Sequence, residues 1–406
     1  MVLFNKYFYN IFVVISISII LRIFFINEYS DVNLDNEWGT LFYNLKYKGI
    51  LSYRTLNDVS IPTVYMPPLY LYYIFIIDLF INGKEQYLPQ AIIISQIIIS
   101  GISIYLFYKI NLFFFSKKIS LLSSYILSFF PLHVYANLQI SSISIQIFLS
   151  LLFLFLILKI MRRKKNLMII SILGFVSGLS LLLRGEFILI FFFSLFFLKY
   201  LKFSNFKEIL IIFIISMITI SPYLVRNYVN FKKITITKSF GYNLWKGNNI
   251  DATVEGSESL LAFQTGSIDK KIKNLQINNL YDFNYDKIFL TYTVESIKDN
   301  PILFVKRYIK KFLSFTFFNI KSNYPNYYNL LNFVPLVALS ILFSLSIIFV
   351  FKKNTIYYYL ILKLFFTIAI FSIFFILPRY KLIILPLQLI IINFFVAKLL
   401  SKKKGV

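Results

Sequence analysis

Apolar residues in this chain run together rather than alternating with polar ones, in stretches long enough to cross a bilayer. Ten such runs lie at about 8–26, 88–108, 119–136, 143–160, 167–183, 186–200, 208–225, 331–351, 356–377 and 382–400. A hydrocarbon core offers no water to backbone N–H and C=O groups, so each run has to satisfy them internally and is expected to be an α-helix. The expected fold class is an all-α polytopic membrane protein with about ten transmembrane helices. The first run, Phe8–Ile26, is too long for a signal-peptide core and no small-residue cleavage site follows it. It reads as a retained span.

Two other apolar patterns predict helices that lie on the membrane. Pro67–Ile81 is short, opens with Pro67-Pro68 and contains Asp78, which suits an interfacial helix on the outer face. In Pro301–Leu313 the periodicity places Lys306, Arg307, Lys310 and Lys311 on one face and Phe304, Val305, Ile309 and Phe312 on the other. That is the pattern of a helix in the headgroup layer. It ends the most polar part of the chain, 226–330, which is rich in Asn, Asp and Lys and carries Gly241, Gly247, Gly256 and Gly266. The chain thus divides into an N-terminal transmembrane module (1–225) with a first outer loop (27–87), an extracytoplasmic loop region (226–330), and C-terminal helices (331–406).

Charge adds an orientation. One set of short loops holds 18 basic residues: Lys6, Lys109, Lys117, Lys118, Lys159, Arg162, Arg163, Lys164, Lys165, Lys199, Lys202, Lys207, Lys352, Lys353, Lys398, Lys402, Lys403 and Lys404. The opposite set holds seven: Lys46, Lys48, Arg54, Lys84, Arg184, Arg379 and Lys381. The positive-inside rule makes the first set cytoplasmic, with both termini inside. Only 15% of the 406 residues are charged and 58% are hydrophobic, which excludes an ordinary soluble domain. The net charge of +25 sits at span ends rather than in one patch, so anionic lipid accounts for it and no nucleic-acid partner is expected. Absence of cysteine excludes a disulfide, a thiolate nucleophile and a Cys metal site. His133 is the only histidine, which excludes a multi-histidine metal site; it reads as structural.

Candidate chemistry gathers in the outer segments. Asp31, Asp35 and Glu37 follow the first span closely, and carboxylates there can deprotonate a hydroxyl or hold a cation; a solvated loop entrance is the plain alternative. Arg184 and Glu186 interrupt an apolar run, as a cavity-facing pair or a helix-turn cap. Arg379 and Lys381 lie between the last two spans, where a guanidinium fork with an added ammonium suits phosphate and headgroup snorkelling is the alternative. Lys363 is the one ionisable residue well inside a late span, expected to snorkel to the cytoplasmic surface. No phosphate-binding glycine loop, nucleophile elbow or zincin signature is present.

Four segments, in order along nearly the whole chain, resemble the GT-C class of membrane glycosyltransferases, in the bacterial branch of protein O-mannosyltransferases and the lipid A aminoarabinose transferase. They are Leu34-Asp-Asn-Glu-Trp with Tyr65-Met-Pro-Pro-Leu-Tyr70; Gly178-Leu-Ser-Leu-Leu-Leu-Arg-Gly-Glu186; Ser221-Pro-Tyr-Leu-Val-Arg-Asn-Tyr228 with Gly241-Tyr-Asn-Leu-Trp-Lys-Gly-Asn-Asn249; and Arg379-Tyr-Lys-Leu-Ile-Ile-Leu-Pro386. The resemblance implies transfer of a sugar from a polyprenyl-phosphate-linked donor to an acceptor hydroxyl on a glycolipid such as lipopolysaccharide, a glycan or a protein. It places the site on the outer face of a bacterial inner membrane. It makes Asp35 the catalytic base with Glu37 beside it, and Arg379, Lys381 and Arg226 the holders of the donor phosphate. Tyr242, Trp245, Asn248 and Asn249, with Arg184 and Glu186, would surround the sugar. Where relatives often carry an acidic residue after the third span, this chain has Ser142, so a divalent metal is weakly supported and no cofactor is expected. A transporter or lipid flippase, and an O-antigen polymerase or ligase, are the competing readings of the same architecture.

Overall fold

The computed structural model describes residues 10–56, 59–258, 267–319, 322, 324, 329–349 and 354–402. Residues 8–9 and 350–351 of two expected spans, together with Lys6, Lys352, Lys353, Lys403 and Lys404, lie outside the described residues. The fold is nearly all-α. In chain order the helices are α1 (Ile11–Phe24), α2 (Glu37–Lys48), α3 (Leu69–Phe80), α4 (Leu88–Asn111), α5 (Lys117–Phe129), α6 (Pro131–Asn137), α7 (Ile143–Met161), α8 (Leu167–Leu183) and α9 (Phe187–Tyr200). They continue with α10 (Phe206–Phe231), α11 (Phe240–Asn248), α12 (Ser267–Lys273), α13 (Tyr281–Asp299), α14 (Pro301–Thr316), α15 (Leu330–Phe349), α16 (Thr355–Ser372) and α17 (Lys381–Lys402).

Among the described residues six helices, α4, α7, α10, α15, α16 and α17, are long and apolar enough to cross a membrane, and α5 with α6 makes a seventh if that bent pair is one span. The remaining expected spans are helical but short: 14 residues in α1, 17 in α8 and 14 in α9. α7 and α17 form the centre. Residues 381–394 of α17 are all buried, against α5, α7, α15 and α16. α10 packs on α8 and leaves most of its surface outward. Its internal Pro222 supplies no N–H to the carbonyl of Ile218, and the Ser221 hydroxyl donates there instead at 2.8 Å.

Two breaks depart from the expected spans. The segment 119–136 is not one helix: it bends by 57° between α5 and α6, at Phe130 before Pro131. A residue ahead of proline is driven out of the α region. The segment 356–377 stops being helical at Ser372, and Leu377, which precedes Pro378, is extended. The carbonyls released there find side-chain donors, as described below.

The segment 27–87 also holds something the periodicity does not predict, an antiparallel hairpin of β1 (Ser52–Leu56) and β2 (Val59–Pro62) with a bulge near Ser52. α3, at 12 residues, is too short to span. Asp78 on α3 pairs with Lys46 of α2 at 3.0 Å. The opposite ends of the helices carry the basic loops, where Lys165 pairs with Glu208 at 2.7 Å and Asn393 donates to Asn111 at 2.7 Å.

Three side chains, Lys363, Arg307 and Lys311, sit otherwise than expected. Lys363 does not snorkel; it is 5% exposed in the helix core, with its ammonium 5.1 Å from the centre of the Phe153 ring. On α14 the cations divide. Lys306 and Lys310 are exposed, but Arg307 and Lys311 turn inward to carbonyls of α11, and the outward face carries Ile302, Val305, Ile309 and Leu313.

The contact of α8 with α10 is built on Gly174 and Gly178 of α8, four residues apart. A Cβ on Gly178 would lie 2.5 Å from Thr219 Cβ of α10, and one on Gly174 would lie 2.8 Å from the Ile212 carbonyl oxygen. This is close packing through small residues, which replaces the hydrophobic effect between helices in lipid. Gly178→Leu is expected to destabilise the protein by about 1–3 kcal/mol through overpacking. The readout is a lower thermal midpoint in detergent; an unchanged midpoint would mean that α8 and α10 do not meet there.

Candidate functional site

Four residues of the segment after α1 begin the site, Asp31, Asp35, Asn36 and Glu37. Asn36 caps α2, its Oδ1 accepting from the backbone N–H groups of Trp38 at 3.0 Å and Gly39 at 3.4 Å. That puts Glu37 at the first helical position, where the positive end of the helix favours a carboxylate. Asp35 is exposed and takes part in no ion pair among the described residues. Asp31 is half-buried, and its Oδ2 accepts from the Ile140 backbone N–H at 2.6 Å. Burial raises the Asp31 carboxyl above its ordinary value, while the Ile140 N–H and the charge of Arg379 act in the other direction. Arg379 is 348 positions later in sequence, yet its field reaches Asp31.

Arg379 belongs to the single turn Pro378–Tyr380 between α16 and α17. It is half-buried, and its guanidinium has no protein acceptor among the described residues. The neighbouring Tyr380 ring lies 5.3 Å from the Arg184 guanidinium. Arg184 Nη1 is 3.9 Å from Glu186 Oε1, and its buried Nε has no acceptor. Burial works against the charge on Arg184, but Tyr380, Glu186 and Glu37 outweigh it and hold its pKa above the ordinary value. Glu37 also acts on Tyr53 and Tyr65, whose rings stack at 4.9 Å. One end of the bundle therefore gathers Asp31, Glu37, Glu186, Arg184 and Arg379, drawn from three distant stretches of chain.

Not every expected residue joins them. Lys381 is buried, and its ammonium donates to the carbonyls of Phe315 at 2.9 Å and Thr316 at 2.6 Å, which end α14. It closes a helix terminus and has no part exposed to a phosphate. Arg226 donates to the Thr63 carbonyl at 2.9 Å and to Asn227 at 2.8 Å, fastening the segment after the hairpin to α10. Trp245 is buried among Ile61, Tyr281, Tyr285 and Phe289. Asn248 donates to the Ile373 carbonyl at 3.0 Å, and Asn249 to the Ser257 carbonyl at 2.7 Å. Tyr242 is half-buried against Phe289 at 5.2 Å and Tyr65 at 6.2 Å. α11 is thus a clamp on the turn that carries Arg379. A Cβ on Gly247 would fall 2.0 Å from the Phe374 carbonyl oxygen, so only glycine permits that contact.

Lys311 completes the clamp. Its ammonium donates to the carbonyls of Gly247 at 3.1 Å, Ile373 at 3.3 Å and Phe374 at 2.5 Å, and to Asn248 Oδ1 at 2.9 Å. Burial, then the charge of Arg307, pushes the Lys311 amine down to about 7.

The cavity reaching the site is about 30 Å³, bounded by Gln146, Ser150, Arg184, Glu186 and Phe371 among others. That is room for one or two waters. A second of about 30 Å³ shares Ser150, Phe187, Ile190 and Ile383 with it and reaches Lys363. A further hollow, about 450 Å³, is an open apolar surface on the outward face of α14, lined by Pro301, Ile302, Val305, Lys306 and Ile309. Among the described residues no three Asp, Glu or His side chains cluster as a metal site requires. Ser142, at the end of the stretch that holds Asp31, is buried.

No protein-family model matches the chain, and no curated protein matches it in sequence.

The different surroundings of the two late cations give a direct contrast. Lys381→Met should lower stability by about 1–3 kcal/mol, because buried acceptors at the end of α14 lose their donor. Arg379→Ala, at a side chain without a protein partner, should stay within about 0.5 kcal/mol of the wild type. Thermal unfolding in detergent ranks the two, and the reverse order would return Lys381 to the ligand.

Proposed function

We propose that this chain is a bacterial inner-membrane glycosyltransferase that moves a sugar from a polyprenyl-phosphate-linked donor to an acceptor hydroxyl, with its site at the outer face. The observation that carries the proposal is the meeting of first-loop carboxylates with the Arg379 turn and with Arg184 at one end of the bundle. Supporting it are the four ordered sequence resemblances and the segregation of basic loops to the opposite end.

In this reaction the acceptor oxygen forms a bond to the anomeric carbon, the bond from that carbon to the phosphate oxygen breaks, and the lipid phosphate leaves with the electron pair. A carboxylate takes the acceptor's proton. Asp35 is the exposed candidate for this base, with Glu37 beside it at the start of α2. Negative charge grows on the departing phosphate, and pre-placed cations there lower the barrier without reorganising. Arg379 has free donors for this, and Arg184 takes the second place in the phosphate site in preference to Lys381 and Arg226. The sugar lies on the open surface between the acidic loop and the Arg379 turn, since the cavity beneath admits only water. Acceptors of the proposed class are glycolipids, glycans and proteins.

One observation favours a transporter instead. The carbonyl oxygen of Gln146, unpartnered among the described residues, borders one of two adjoining hollows inside the helices and Lys363 the other, and transporters place such groups near the midplane. The surface cluster outweighs it, because it brings carboxylates of the acidic loop together with cations, as transfer needs.

Asp35→Asn is expected to lose transfer by at least about 100-fold while insertion is retained; full activity would remove Asp35 from the mechanism. Arg379→Ala should raise the apparent KM for the lipid donor more than that for the acceptor, measured in reconstituted vesicles. If Asp31 rather than Asp35 takes the proton, kcat/KM falls on acidification through a pKa above 3.8, because the raised carboxyl must be ionised to accept. Mass spectrometry of glycolipids from a deletion strain tests the class as a whole. One missing sugar is expected, and an unaltered profile would contradict transfer to glycolipid.

A further inference from the structure

Among the described residues Arg22 is the largest fully buried side chain; it lies in the last turn of the apolar helix α1, and no described carboxylate pairs with it. Its five donors go elsewhere. Nε donates to Asn137 Oδ1 at 2.8 Å, and Nη1 donates to the Ser18 carbonyl at 3.1 Å, the Ser18 hydroxyl at 2.5 Å and the Ser128 carbonyl at 3.2 Å. Nη2 lies 3.2 Å from His133 Nδ1, which is itself 3.0 Å from the Leu127 carbonyl. Leu127 and Ser128 end α5, and His133 and Asn137 are on α6. The guanidinium thus fills the 57° break between the two helices and satisfies the Ser128 carbonyl, which a continuous helix would have paired, while His133 meets that of Leu127.

The far side of the break leads to the site. Asn137 donates to Ser144 at 2.9 Å on α7, and its own carbonyl accepts from Gln96 at 3.3 Å. Gln96 also donates to the Gln139 carbonyl at 3.0 Å and accepts from the Tyr70 hydroxyl at 2.9 Å. The stretch so fixed holds the acidic loop through three bonds. The Asp31 N–H donates to the Leu138 carbonyl at 3.2 Å, the Ile140 N–H donates to Asp31 Oδ2 at 2.6 Å, and Asn36 donates to the Ile140 carbonyl at 3.0 Å. Asn36 is the cap that places Glu37.

We propose that Arg22 is a positioning residue: by filling the α5–α6 break it fixes residues 138–140, and through them sets where Asp31 and the start of α2 stand relative to the Arg379 turn. Its importance for catalysis rests on the transferase reading; the placement itself does not. A planar fork is required, because Nε, Nη1 and Nη2 serve α6, α1, α5 and His133 at once. A lysine ammonium cannot reach all of these.

The chain has no cysteine, so pairs of introduced cysteines can carry spin labels without further changes. Val32→Cys with Ile250→Cys reports the acidic loop against α11, and Met168→Cys with Leu400→Cys reports the opposite end; all four positions are exposed. Pulsed electron resonance in lipid nanodiscs should show Arg22→Ala broadening or shifting the Val32–Ile250 distance by several ångströms while Met168–Leu400 is unchanged. Arg22→Lys should fail to restore it. Asn137→Leu, which cuts the link while keeping Arg22, should reproduce the shift. It decides the matter if Arg22→Ala does not accumulate. An unchanged Val32–Ile250 distance overturns the proposal, and so does an equal change in both pairs, which would make Arg22 a general support of the bundle. No sugar donor is used, so a failure of glycosyl transfer in the wild type would count against the transferase reading alone.

Discussion

A helix that breaks inside or at the edge of a membrane releases carbonyls that water cannot reach, and this constraint organises one whole end of the protein. The α5–α6 break is filled by Arg22, the end of α14 by Lys381, and the end of α16 by Lys311 with Asn248. In each case a buried cation or amide is bound to backbone rather than to a carboxylate. The charges are thereby used structurally, and the segments they hold are those that carry Asp31 and Arg379. Among the described residues at this end, Arg379 has no protein acceptor and Arg184 keeps a buried Nε without one.

The same constraint explains how groups so distant in sequence meet. The acidic loop leaves α1, is bonded to the 138–140 stretch after α6, and faces the turn between α16 and α17. That turn is gripped from the other side by α11, whose Gly247 lies directly on Phe374. Each half of the site is therefore fixed to a break, and each break to a buried donor. Under the proposed transfer such fixity has a use, because it keeps a base and a phosphate clamp preorganised around a reacting centre that neither touches covalently.

Much of the fold was legible in the apolar runs. Each expected span contains helix, since length and uniform hydrophobicity leave the backbone little choice. Length alone secures only six or seven crossings, because α1, α8 and α9 are short. The bend at Phe130 and the unwinding after Ser372 were written locally, in Pro131 and Pro378, but an apolar count does not register them. The hairpin at Ser52–Pro62 was too short to raise a signal. The site was legible in residue type more than in role. Arg379, Arg184 and Glu37 come together, whereas Lys381, Arg226 and Trp245 go to packing, because sequence does not say which carbonyls a break will release. Arg22 was missed for the opposite reason: a single arginine in an apolar run is a strong signal, and it was absorbed into the first span.

Everything rests on the acidic loop and the Arg379 turn sharing one surface. The cysteine-free chain allows Asp31→Cys and Arg379→Cys to be introduced together and treated with a short bismaleimide in native membranes. An intramolecular crosslink is expected for that pair and not for Asp31→Cys with Met168→Cys. No crosslink between positions 31 and 379, or equal crosslinking of both pairs, would contradict the convergence on which the site depends.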